Sequence, residues 1–169
     1  IKTVSDNVQI VRLGEGVHKN REFIPAALAR ARSCLKDFKK ILDQHKVESV
    51  QAVATSAARD VKNGQELFKI GEELNIPIQV IAGPKEAELT YKGVITNPKF
   101  GNDIAVIDVG GGSTEVTTQE QNRVSGQSFD LGGVRLTEMF ITKHPISEQE
   151  LTALRKYARE KLSSLPQMP

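Results

Sequence analysis

Asp108-Val109-Gly110-Gly111-Gly112-Ser113-Thr114-Glu115 is the stretch whose reading fixes the kind of fold. The apolar run Ile104-Ala105-Val106-Ile107 leads into it, and Thr114 to Thr118 continue it with strand-like composition. That order predicts a strand, a glycine turn and a second strand. Three consecutive glycines carry no Cβ, so the backbone can take positive φ and approach a ligand closely. A turn of this kind can aim several N–H groups at one phosphate. Asp108 and Glu115 flank it and offer the hard oxygen ligands that a divalent cation takes in phosphate chemistry. The plainer alternative is a tight hairpin with an acid on either side. Two-residue hairpins use Asn-Gly or Gly-Gly, however, and gain nothing from a third glycine. The phosphate loop is the better reading. It is not a Walker loop, which needs a lysine before Ser or Thr, and not the dinucleotide fingerprint, whose sixth position is glycine where this chain has Glu115.

Downstream of this stretch, strands are predicted near 103–109, 114–119 and 123–130, joined by short turns as an antiparallel meander. Gly132-Gly133 then opens a short helix carrying Val134, Leu136, Met139 and Phe140. Ser147-Glu148-Gln149-Glu150 has the form of a capping box, and the helix it starts carries Leu151, Leu154, Ala158 and Leu162.

Upstream, residues 2–13 read as extended chain ending at Gly14-Glu15-Gly16. Pro25 suits a first helical turn, and Leu28, Ala31, Leu35, Phe38 and Leu42 recur at helical spacing. A short strand at 49–54, a helix at 64–74, a strand at 77–81 and a helix opening at Gly83-Pro84 follow. Strands alternating with helices imply a parallel α/β sheet with right-handed crossovers. Asn97-Pro98-Lys99-Phe100-Gly101-Asn102 is the best linker. Two domains are therefore expected, an α/β piece over 1–100 and a meander with helices over 101–169. Neither holds a full set of strands, and open edges of this kind call for more sheet or for self-association.

At 38% hydrophobic and 26% charged the chain has the composition of a globular protein. A net charge of +2 gives no case for a nucleic-acid surface, and an aromatic content of 5% without tryptophan leaves no stacking platform. The single Cys34 points to a reducing compartment and reads as a small core residue. No apolar stretch is long enough to span a bilayer, and no signal peptide is visible. A cytoplasmic protein with no membrane partner is expected. The chain begins at Ile1 rather than Met, which reads as a processed, tagged or partial chain.

Three further constellations bear on chemistry. Thr55-Ser56-Ala57-Ala58-Arg59-Asp60 follows a strand end, where ligands bind in open α/β sheets. Arg59 can grip a phosphate oxygen there, or be a surface arginine on an ordinary loop; the residues alone leave both open. Gly83-Pro84-Lys85-Glu86-Ala87-Glu88 also follows a strand end. Acids in a first helical turn ordinarily complement the helix dipole, and on local grounds that reading is preferred. Leu131-Gly132-Gly133-Val134-Arg135 resembles another strand-to-helix phosphate turn, but with low specificity, and a close helix–strand packing turn is the preferred reading. His18, His45 and His144 lack metal-ligand spacing, so neither a zinc site nor a Cys–His nucleophile is expected.

Taken in order, Val53-Ala54-Thr55-Ser56-Ala57-Ala58-Arg59, Ile81-Ala82-Gly83-Pro84-Lys85-Glu86-Ala87-Glu88-Leu89 and Ile107-Asp108-Val109-Gly110-Gly111-Gly112-Ser113-Thr114-Glu115 resemble the exopolyphosphatase / guanosine pentaphosphate phosphohydrolase family. Arg12-Leu13-Gly14-Glu15-Gly16 adds to the match, which covers most of 1–141. The resemblance implies a ribonuclease-H-like, actin-like ATPase fold of the α/β class, in which parts of two similar domains with mixed sheets flank a cleft. It implies hydrolysis of terminal phosphate from inorganic polyphosphate or guanosine pentaphosphate, with Mg²⁺, in a bacterial cytoplasm. By resemblance Glu86 takes the place of the base that activates water. Asp108 and Glu115 take the places of acids near metal and water, Gly110, Gly111, Gly112 and Ser113 form the phosphate loop, and Arg59 contacts phosphate. The family's first loop, of the Asp-x-Gly-Ser-Asn-Ser kind, has no counterpart here, so a fragment holding half of a cleft is expected. A non-catalytic phosphate-binding or nucleotide-binding module and a small-molecule kinase are the alternative readings.

Overall fold

The computed structural model describes residues 2–96, 104–120 and 123–165; the linker expected at 97–102 lies outside them. Among the described residues the first half is built on two long helices and a short parallel sheet. After the short α1 (Val17–Asn20), Pro25 occupies the first turn of α2 (Pro25–Gln44), where its missing N–H costs nothing. The helix buries Ala27, Leu28, Ala31 and Cys34 on one face, while Leu35, Phe38 and Leu42 of the predicted stripe are half-buried. Strands β1 (Ala52–Ala54) and β2 (Ile78–Val80) pair in parallel with Ala52 opposite Ile78. Between them run α3 (Ser56–Arg59) and α4 (Gly64–Glu73). Phe23, Leu28, Ala31, Ala58, Leu67 and Ile70 form the common core of this half.

At 56–59, where the sequence left an ordinary loop as one of two open readings, the chain forms the single turn α3. Four residues show no periodicity to read, and one turn of helix is unfavourable by itself. Burial of Ser56 and Ala58 holds it in place.

Helix α5 (Gly83–Ile95) leaves the end of β2 and lies on the second sheet. That sheet is the expected meander, β3 (Ala105–Val109), β4 (Thr114–Glu120) and β5 (Arg123–Phe129), in the order β3-β4-β5. Ala87 and Tyr91 of α5 are fully buried against it. Thr117 Oγ1 donates to the Ala87 carbonyl at 3.4 Å, and the Tyr91 hydroxyl donates to Gln119 at 2.7 Å. Side chains alternate between sheet faces, so Glu115 and Thr117 share the α5 face and Val116 points the other way. There Val116, Phe129 and Leu131 pack with Leu136 of α6 (Gly133–Phe140) and with Tyr157 and Ala158 of α7 (Glu148–Lys161). The capping box at Ser147 and Glu150 is formed in both directions. Strand β3 is an edge of its sheet, and its Ile107 and Val109 are 59% and 67% exposed.

Candidate active site

The Arg59 turn and the start of α5 are joined by one ion pair. Arg59 Nη1 donates to Glu86 Oε2 at 2.9 Å and to the Ile81 carbonyl at 2.7 Å. Both side chains are largely enclosed. Arg59 is therefore no surface arginine, and Glu86 does more than face a helix dipole. Glu88, two residues on, is engaged by Lys92 and Lys85, which hold its carboxyl below its ordinary range.

Asp108 on β3 sits directly opposite Glu115 on β4. Residues in that relation place their side chains on one face, about 5 Å apart at Cβ. Each carboxylate takes a hydroxyl hydrogen bond: Thr90 Oγ1 donates to Asp108 Oδ2 at 3.1 Å, and Ser128 Oγ donates to Glu115 Oε1 at 2.6 Å. Glu115 is 1% exposed. Ser128 also meets α5, because a Cβ placed on Gly83 would lie 2.6 Å from the Ser128 Cβ. Glycine at 83 is what lets the helix carrying Glu86 come this close to the strand partner of Glu115. The start of α5 and the strand that holds Glu115 meet in this way. No group of three or more His, Cys, Asp or Glu with metal-holding geometry occurs among the described residues.

The glycine loop is fixed from one side. Gly133 N donates to the Gly110 carbonyl at 2.9 Å, and Val134 N and Arg135 N donate to the Gly111 carbonyl at 2.9 and 3.0 Å. Arg135 Nε donates to the Gly112 carbonyl at 2.7 Å. In a planar trans peptide the N–H points opposite to the C=O. The N–H groups of Gly111, Gly112 and Ser113 therefore point away from the start of α6. Among the described residues they donate to no protein acceptor. Gly132 makes the seat, since a Cβ there would lie 2.4 Å from the backbone of Gly111 and Gly112. The packing turn expected at 131–135 is thus present, and its partner is the glycine loop itself.

Ser56, Thr90, Ser128 and Arg135 are the site-forming residues that sequence reasoning did not single out for a role. Arg135 lay within a quoted motif, but its partner Asp60 is 75 positions away and nothing local signals the pairing. A cavity of 490 Å³ opens beside the site, lined by Leu13, Ala54, Ser56, Gly111, Gly112 and Arg135 among others. It touches the back of the glycine loop and none of Glu86, Asp108 and Glu115.

A model of the Ppx/GppA phosphatase family matches residues 1–168. The chain belongs to this family. Its curated relatives include Exopolyphosphatase 2 of Mycobacterium tuberculosis, 39% identical over 166 residues, which cover 94% of this chain and 52% of that protein. A bifunctional 3-dehydroquinate synthase/phosphatase of Fusobacterium nucleatum is 35% identical over 97% of this chain and 26% of its own length. Among solved structures, an exopolyphosphatase from Cytophaga hutchinsonii superposes with a TM-score of 0.84 at 37% identity, covering 92% of this chain and 51% of that one. The Aquifex aeolicus member of the family superposes with a TM-score of 0.70 at 31% identity, covering 94% and 53%. The fold is that of these Ppx/GppA structures, of the α/β class, as the resemblance implied. The chain spans about half the length of the exopolyphosphatases it matches.

Proposed function

We propose that the full-length protein hydrolyses terminal phosphate from inorganic polyphosphate or guanosine pentaphosphate, and that residues 2–165 contribute one phosphate loop and the acids of its cleft. The observation that carries this reading is the contact between Gly83, at the start of the helix that carries Glu86, and Ser128, the residue that donates to Glu115. Arg59 holds Glu86, Ser128 holds Glu115 against the start of the same helix, and the N–H groups of Gly111, Gly112 and Ser113 are turned outward. Residues 1–100 supply Arg59 and Glu86, and residues 101–169 supply the loop, Asp108 and Glu115, as the two sides of a cleft.

Phosphoanhydride hydrolysis is mostly positioning and charge stabilisation. The loop N–H groups cradle the equatorial oxygens of the terminal phosphoryl group. Glu86 accepts a proton from the attacking water as the oxygen–phosphorus bond forms in line, and the phosphate chain leaves. Arg59 orients Glu86 with one nitrogen and has a second, Nη2, beside Gly83 for a phosphate oxygen. Asp108 and Glu115 would hold Mg²⁺. Two carboxylates on one sheet face suit this ion, which takes one or two carboxylates and completes its octahedron with phosphate oxygens and water. Held by these two carboxylates, the ion would supply positive charge against the phosphoryl oxygens. The family's relatives named exopolyphosphatases support polyphosphate as substrate.

The test is phosphate release from medium-chain polyphosphate and from guanosine pentaphosphate by the full-length protein with Mg²⁺. Glu86→Gln should remove nearly all turnover while polyphosphate still binds. Wild-type turnover in that variant would take Glu86 out of the mechanism.

A further inference from the structure

We infer that Arg135 is a positioning residue: its guanidinium fixes the direction of the Ser113 N–H and ties the glycine loop to the Arg59 turn. This rests on the phosphatase reading and adds to it a residue outside the acids and the loop. The carbonyls of Gly110 and Gly111 are held by backbone N–H groups, which no side-chain change removes. The Gly112 carbonyl is held by a side chain, Arg135 Nε at 2.7 Å. Because C=O and N–H are antiparallel across one peptide, that single bond sets where the Ser113 N–H points.

The same guanidinium is anchored at its other end. Nη2 pairs with Asp60 Oδ2 and lies 3.8 Å from Asp130 Oδ1. The Arg135 side chain is 10% exposed, so the pair is shielded from water and salt. Asp60 directly follows Arg59, and its own N–H donates to the Ser56 carbonyl at 3.1 Å. Ser56 in turn abuts Gly112, with its Oγ 2.5 Å from a Cβ built there. One rigid, planar fork thus spans the two phosphate-facing elements. A lysine carries the charge but, as a point donor on a flexible stem, cannot hold both acceptors in one plane.

A purely stabilising ion pair would change the melting temperature and leave kcat alone below it. The full-length wild type, Arg135→Lys and Asp60→Asn are therefore compared by kcat and KM on polyphosphate, well below each melting temperature. The ¹⁵N amide shift of Ser113 is followed during titration with inorganic phosphate. Arg135→Lys should lower kcat about ten- to 100-fold with little change in KM, and the Ser113 amide should lose its response to phosphate. Wild-type kcat in a folded Arg135→Lys overturns the inference and leaves the phosphatase reading standing. A wild type without turnover sinks the phosphatase reading, and the amide titration then decides alone: a response retained in Arg135→Lys overturns the positioning role, and its loss supports it. Should Arg135→Lys not fold, Asp60→Asn carries both readouts, and unchanged kcat with an unchanged amide response there overturns the tie.

Discussion

Ser128 donates its hydroxyl to Glu115 at 2.6 Å while its Cβ lies against Gly83, the first residue of the helix that carries Glu86. One serine therefore touches both the start of the helix that carries Glu86 and the carboxylate of Glu115, residues from different halves of the chain. Burying a carboxylate costs free energy unless hydrogen bonds replace water, and Glu115 is 1% exposed. Ser128→Ala removes its hydroxyl donor and should cost about 1–3 kcal/mol in chemical denaturation. It should also reduce phosphate release. Equal denaturation midpoints would show that water replaces the hydroxyl without loss.

Gly83→Ala puts a methyl group 2.6 Å from the Ser128 Cβ and 2.8 Å from its Oγ. Neither neighbour is the far end of a flexible chain, so the start of α5 must move. A loss of about 1–3 kcal/mol is expected. Turnover should fall with it, since Glu86 rides on the same helical turn. Ser128→Gly in the Gly83→Ala background should recover part of the lost melting temperature, and a failure to do so would locate the strain elsewhere.

Arg59 serves two acceptors at once, the Ile81 carbonyl and Glu86. Arg59→Lys keeps the charge and loses the fork, so kcat on polyphosphate should drop about ten- to 100-fold. Arg59→Ala should drop it further. If lysine matches arginine, charge alone orients Glu86.

Glu150 links the end of α6 to the start of α7. Its carboxyl accepts from the Ser147 and Thr142 backbone N–H groups and then from both hydroxyls, which lower its pKa from 4.5 to about 2. The folded value lies below the unfolded one. The stabilisation is therefore complete above about pH 4.5 and is lost as pH falls towards about 2. Melting temperatures recorded from about pH 7 to about pH 3 should decline in this window, less steeply in Glu150→Gln. Parallel curves for the two proteins would remove the capping box as a source of acid sensitivity.

Much of the architecture was legible before any coordinates. Leu28 and Ala31 spell the buried stripe of α2, Leu67 and Ile70 that of α4, and Ser147 with Glu150 marks the start of α7. These signals lie within one or two helical turns, so neighbours in sequence carry them. The single turn of α3 carries no such signal. For Arg59 the local sequence could not choose between a phosphate grip and a surface position. Its partners at 81 and 86 become neighbours only when β1 and β2 pair.

The order of motifs from Val53 to Glu115 was enough to place the chain in its family, because residue type and local spacing are properties of the chain itself. The contacts that arrange them followed from packing. Helix α5 lies on the meander, which sets Gly83 against Ser128 and Thr90 beside Asp108. The Gly132 turn seats the loop, and Arg135 reaches Asp60. Each of these pairs is separated by many residues, and its distance depends on how two buried faces fit together, a quantity that no window of sequence contains.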